Sequence, residues 1–185
     1  MSILSICKDL CLPLRLDEQY KFIRMLIPFQ TLDDNSRVWI FQAENELSQI
    51  QATEIKSELF EFLQEWTAHN AHLHTSGEVL HHRFVVVMVD ESQVGASGCS
   101  IDKLTHFIQN VEQKYNVTLL DRMSVTYITS DDKIAATHLN QLGSLLKEGK
   151  IDEETLVFNN LVGTKSDFET KWKIKIKDSW HKRFL

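Results

Sequence analysis

Apolar positions along the chain follow two periods. Arg37-Val38-Trp39-Ile40-Phe41-Gln42, β-branched and aromatic after the turn-forming Asp33-Asp34-Asn35-Ser36, predicts a strand. Ser48 and Gln51 then have capping-box spacing, and Ile55, Leu59, Phe62, Leu63 and Trp66 recur on one helical face, so a helix is expected over about 49–68. The polar stretch from His69 to Gly77 reads as a loop. Arg83-Phe84-Val85-Val86-Val87-Met88-Val89 is a continuous apolar run of strand length, expected of a central strand covered on both faces. Leu104, Phe107, Ile108, Val111 and Tyr115 mark a second helix, which Ser97 or Ser100 is placed to cap. Met123 to Thr129 alternates as a strand. Ser130-Asp131-Asp132 is expected to open a third helix carrying Ile134, His138, Leu139, Leu142, Leu145 and Leu146, with Gly149 as its C-terminal cap. From Lys171 to Lys177 the alternation is strict, with Trp172, Ile174 and Ile176 on one face and four lysines on the other: a half-buried strand, protected as an edge by its charge.

This order of elements predicts an α/β or α+β domain, a mixed sheet of about four or five strands with three main helices packed on it. The 185 residues suit one such domain, assigned to 25–185. Residues 1–24 are set apart as an N-terminal extension: apolar in part, but with no basic flank or small-residue cleavage site, and shorter in apolar run than a membrane helix needs. A 43% hydrophobic, 25% charged composition is that of a globular chain. The net charge of −6 argues against general affinity for nucleic acid or anionic membranes and favours a small-molecule or protein ligand. Three cysteines, two of them near the N-terminus, make neither a disulfide framework nor a zinc spacing, which fits a reducing cytoplasm. No motif specifies a cofactor, and the oligomeric state is not encoded in any pattern here.

The most promising chemistry lies in Val94-Gly95-Ala96-Ser97-Gly98-Cys99-Ser100-Ile101-Asp102-Lys103, a small-residue loop between the central strand and the second helix. A helix N-terminus offers free N–H groups and the positive end of a dipole, which suit an anion or a thiolate. Ser97, Gly98, Ser100, Asp102 and Lys103 are therefore the expected ligand contacts. Cys99 is a small packed residue, an ordered ligand contact or, in the catalytic alternative, the nucleophile of a hydrolase or transferase with a histidine as base. His181, in Ser179-Trp180-His181, is the candidate partner, and His81 and His82 are others. Asn159 and Asn160 are expected either to stabilise a turn or to line the same pocket with amide donors. His69, His72, His74, His81 and His82 are numerous enough to invite a metal, but their spacing matches no zinc signature, and no metal site is assigned. The lysine strand invites nucleic acid, except that Trp172 points away from the lysines.

Ile27-Pro28-Phe29-Gln30-Thr31-Leu32, Arg37-Val38-Trp39-Ile40, the Ala96–Lys103 segment, Val157-Phe158-Asn159-Asn160-Leu161-Val162 and Asp178-Ser179-Trp180-His181 resemble a family of short uncharacterised bacterial proteins, mostly from Bacteroidetes. Its members are often labelled "ABC transporter ATPase". The resemblance runs from Met25 to Leu185 and implies one compact domain; it carries over no catalytic residue. The label itself conflicts with the chain, because a P-loop needs Gly-x-x-x-x-Gly-Lys-Ser/Thr, whereas Gly95 and Gly98 are three apart and Lys103 lies five beyond Gly98. The expected function is thus binding of a small, anionic ligand or a partner around Cys99, without P-loop ATPase activity.

Overall fold

The computed structural model describes residues 28–184, so the N-terminal extension lies outside the described residues. Strand β1 (Arg37–Gln42) leads to helix α1 (Gln49–Glu65), a two-stranded hairpin of β2 (Thr67–Ala68) and β3 (Ala71–His72), and then β4 (His74–Leu80) and β5 (Phe84–Asp90). Helix α2 (Gly98–Tyr115), β6 (Ser124–Ile128), β7 (Ile134–His138), α3 (Leu142–Lys147), β8 (Leu156–Phe158), α4 (Lys165–Lys171) and β9 (Lys173–Lys175) complete the fold with short 3₁₀ turns. Among the described residues all strand pairings are antiparallel, in sheets ordered β1-β5-β4, β2-β3 and β7-β6-β8-β9. The class is α+β, with the strands divided among three sheets.

The side-chain period of two along β5 explains the layering. Val85, Val87 and Val89 face α1 and α2, whereas Phe84, Val86 and Met88 face the second large sheet, and all six are fully buried. Burying each such side chain contributes about 1.5–3 kcal/mol, so this strand anchors two cores at once. The outer face of the second sheet buries Val125, Tyr127 and Val157 beneath Leu139, Leu142, Ile176 and Trp180. The result is a four-layer sandwich: α1 and α2, sheet, sheet, then α3 with the C-terminal 3₁₀ turns.

The expected caps form. Ser48 Oγ accepts the Gln51 N–H at 3.2 Å while Gln51 Oε1 accepts the Ser48 N–H at 2.9 Å. Helix α1 stops at Glu65 rather than running to residue 68, with Trp66 as its extended C-cap. The expected loop over 69–77 is instead the β2–β3 hairpin and most of β4, whose polar sequence is held as strand by its pairing with β5. Gly77 is needed there because a Cβ would stand 2.6 Å from Leu63 Cδ1 and 2.9 Å from Leu59 Cδ2, beneath α1.

The largest departure concerns the expected third helix. Ile134–His138 pairs in register with Ser124–Ile128 as a hairpin, closed by Thr129 Oγ1, which accepts the Lys133 N–H at 3.1 Å and donates to the Lys133 carbonyl at 3.0 Å. Only Leu142–Lys147 is α-helical, followed by Gly149 at φ +66°. The late strand is shorter than its alternation: Lys171 ends α4 and Ile176 opens a 3₁₀ turn, leaving Lys173–Lys175 at the sheet edge. Among the described residues no helix is long and apolar enough to cross a membrane.

Candidate functional site

The loop from Glu91 to Ser97 is tied down by its own carboxylates. Asp90 Oδ1 accepts the Ser92 N–H at 2.9 Å and Glu91 Oε1 accepts the Ala96 N–H at 2.8 Å. The Ser92 backbone N–H, then the Ser92 hydroxyl and His74, hold the Asp90 carboxyl below the usual carboxylate range. Ser97 is the N-cap of α2: its Oγ accepts the Ser100 N–H at 3.3 Å, and its carbonyl accepts the Ile101 N–H at 2.9 Å. Gly98 and Cys99 precede the first intrahelical bond, and their N–H groups meet no acceptor among the described residues. These free donors stand at the positive end of a five-turn helix.

Cys99 is exposed, which corrects the expectation of a packed core residue. Ser100 is the buried member of the turn: its hydroxyl donates to the Ser97 carbonyl at 2.8 Å, and its carbonyl receives the indole N–H of Trp66 at 2.8 Å. Asp102 and Lys103 are exposed and lie just past the first turn, so Asp102 does not cap the dipole.

Pairing adds residues that spacing alone does not reveal. The register Arg37↔Val89 delivers Arg37 to the end of β5, where its half-exposed guanidinium lies 3.9 Å from Glu91 and 4.6 Å above the Trp39 ring. Trp39 meets Trp66 edge-on at 6.0 Å, and Trp66 in turn holds Ser100. Arg37, Trp39, Trp66 and Glu91 thus surround the loop. The only sequence signal for them is that Asp90-Glu91 ends the apolar run and Arg37 opens another.

Other expected contributors lie elsewhere. His181 is buried in the C-terminal 3₁₀ turn, its Nδ1 3.1 Å from Ser179 Oγ and its ring stacked on Trp180 at 3.9 Å. Burial, and then the charge of Arg183, push its pKa down to about 4. It has no contact with Cys99. Asn159 forms a turn, its Oδ1 accepting the Leu161 N–H at 3.3 Å. Asn160 bridges the two large sheets: its Nδ2 donates to Gln42 Oε1 at 2.7 Å and its Oδ1 accepts from Trp172 Nε1 at 3.0 Å. Among the described residues no three metal-ligating side chains converge. Of the four lysines of the late segment, Lys171 pairs with Asp167, and Lys175 and Lys177 both pair with Glu154.

Two clefts open elsewhere. One of about 700 Å³ lies between the β6–β7 turn and the segment before β8, lined in part by Tyr127, Asp132, Asp152 and Glu154. The other, of about 450 Å³, lies at the β4–β5 turn and includes Arg83. Neither is lined by Cys99. No family model, curated protein or solved structure matches this chain.

Proposed function

We propose that this chain is a binding domain that captures an anionic group, on a small ligand or a protein partner, at the N-terminus of α2. The observation that carries this reading is the pair of free N–H groups at Gly98 and Cys99 at the positive helix end, following a loop whose Glu91 faces the half-exposed Arg37. Arg37 is only loosely engaged by Glu91 at 3.9 Å, so its guanidinium is available to turn toward a ligand. Ser97, Lys103 and the exposed thiol border the same surface, and Trp66 fixes the turn from below. A cytoplasmic setting belongs to this reading, since it keeps such a thiol reduced.

The exposure of Cys99 favours a second reading, a cysteine-dependent hydrolase or transferase. That chemistry needs a base near the thiol, and His181 is spent elsewhere in the fold.

Titration of isotope-labelled protein with phenyl phosphate tests the first reading. The amide resonances of Ser97 to Ser100 should move saturably, and Arg37→Ala should weaken the effect several-fold. Resonances that stay still, or move equally in Arg37→Ala, would sink it.

A further inference from the structure

The tight turn joining β4 to β5 is made by two consecutive histidines in left-handed backbone, His81 at φ +52° and His82 at φ +47°, closed by the Arg83 N–H on the Leu80 carbonyl at 3.0 Å. Asn-Gly would hold this conformation at lower cost. Backbone strain of this kind collects at functional sites. The turn forms one wall of the 450 Å³ cleft, together with Arg83, Glu46, Lys133 and Ile134, and the volume falls within the range of small-molecule sites.

Arg83 is the unusual member. It is only 6% exposed, yet no carboxylate among the described residues approaches its guanidinium within ion-pair distance. Its Nη1 donates to the carbonyls of Ala43 and Glu44, at 3.0 and 2.8 Å. Glu46 acts on this guanidinium through space, and its nitrogens other than Nη1 meet no acceptor among the described residues, so they are open to a ligand where Arg83 borders the cleft.

The neighbouring charges define what would complete it. Lys133 is held by Asp131 at 2.6 Å, and Glu46 lines the cleft on the Arg83 side. Lys173 makes no ion pair among the described residues; it stands over the rings of Phe158 and Trp172 at 5.5 and 5.8 Å and acts through space on His81. Burial, and then that lysine, lower the pKa of His81. The charged side chains lining the cleft, Arg83 and Lys133 against Glu46, leave one net positive charge, which matches a monoanion better than a phosphate dianion. A guanidinium fork pairs geometrically with a planar carboxylate. Ile134, and the His81 ring backed by Phe158 and Trp172 at 5.7 and 6.0 Å, offer an apolar seat for the rest of the molecule.

We propose that this cleft is a binding site for a small organic monocarboxylate, whose carboxylate meets Arg83 and whose body rests against Ile134 and the His81 ring. It is separate from the surface at α2 and stands or falls independently of it.

The probes are benzoate, phenyl phosphate and benzyl alcohol, titrated into labelled full-length protein. Benzoate is expected to move the amides of His81, His82, Arg83, Lys133 and Ile134 saturably, whatever it does at α2, and the shifts at these cleft amides should saturate at lower concentration than with either other probe. Glu46→Gln removes an exposed like charge and should tighten benzoate binding several-fold; Arg83→Lys keeps the charge without the fork and should weaken it about tenfold. If Arg83→Lys fails to fold, the Glu46→Gln comparison decides alone. Still resonances at the cleft, equal or tighter binding of phenyl phosphate or benzyl alcohol read at the cleft amides, or a benzoate affinity at those amides unchanged by Glu46→Gln would each overturn the proposal.

Discussion

The indole N–H of Trp66 donates to the carbonyl of Ser100 across 2.8 Å, so the residue that ends α1 also holds the first turn of α2. Trp66 is almost wholly buried, and its ring contacts Phe62 and Trp39. Trp66→Phe keeps most of the packing and removes the hydrogen bond. It should lower stability by about 1–2 kcal/mol in urea unfolding and speed hydrogen exchange at Ser100 and Ile101. An unchanged midpoint would mean that the bond does not couple the two helices.

Exposure of Cys99 predicts ready modification. In a variant with Cys7→Ser and Cys11→Ser, iodoacetamide should alkylate the native protein within a few-fold of its rate in urea at the same pH. A native rate about a hundredfold slower would place the thiol in the core. Cys99→Ser should fold with little change in midpoint, because no described side chain packs its sulfur away from water.

Asn160 links the sheets through Gln42, whose own Nε2 donates to Ser124 Oγ at 2.8 Å. Truncation to alanine strands both the Trp172 indole N–H and the Gln42 carbonyl oxygen in largely buried surroundings. The expected loss is about 2–4 kcal/mol. A double-mutant cycle with Trp172→Phe should return a coupling of about 1 kcal/mol; additivity would deny the relay.

His181 gives the fold a pH dependence of definite sign. Its folded pKa, pushed down to about 4 by burial and by Arg183, lies below the ordinary value of 6.5, so the unfolded chain takes up the proton first. The buried neutral ring therefore carries no penalty above pH 6.5, and stability falls as pH drops from there toward 4, by up to about 3 kcal/mol. Urea midpoints across this range should slope less steeply in His181→Leu than in wild type. Parallel slopes would show that His181 gains its proton as easily folded as unfolded.

Much of the framework was legible because its signals are local. The Ser48 capping box, the helical faces of α1 and α2, the Ser97 cap and the double-sided burial of β5 depend on nearby residues or on one uninterrupted apolar run, and each has the expected form. Tertiary structure decided where local preference was weak. His74–Leu80 is polar and contains Gly77, yet it is a strand because β5 offers a ladder, and its close approach to Leu59 and Leu63 of α1 favours the residue without a side chain at 77. Ile134-Ala135-Ala136-Thr137-His138 carries helix-forming alanines and leads into a leucine-rich helical face, yet pairing with β6 and the Thr129 turn hold it extended. The candidate sites divide in the same way. Ser97, Gly98, Cys99 and Ser100 share one helical turn by adjacency alone, whereas strand register brings Arg37 to the Glu91 end of β5 and Arg83 meets Lys133 only across a cleft between sheets. The separation of His181 and Asn160 from Cys99 follows from that layering: each is committed to a partner in a different core, and no sequence spacing records which core a distant side chain will enter.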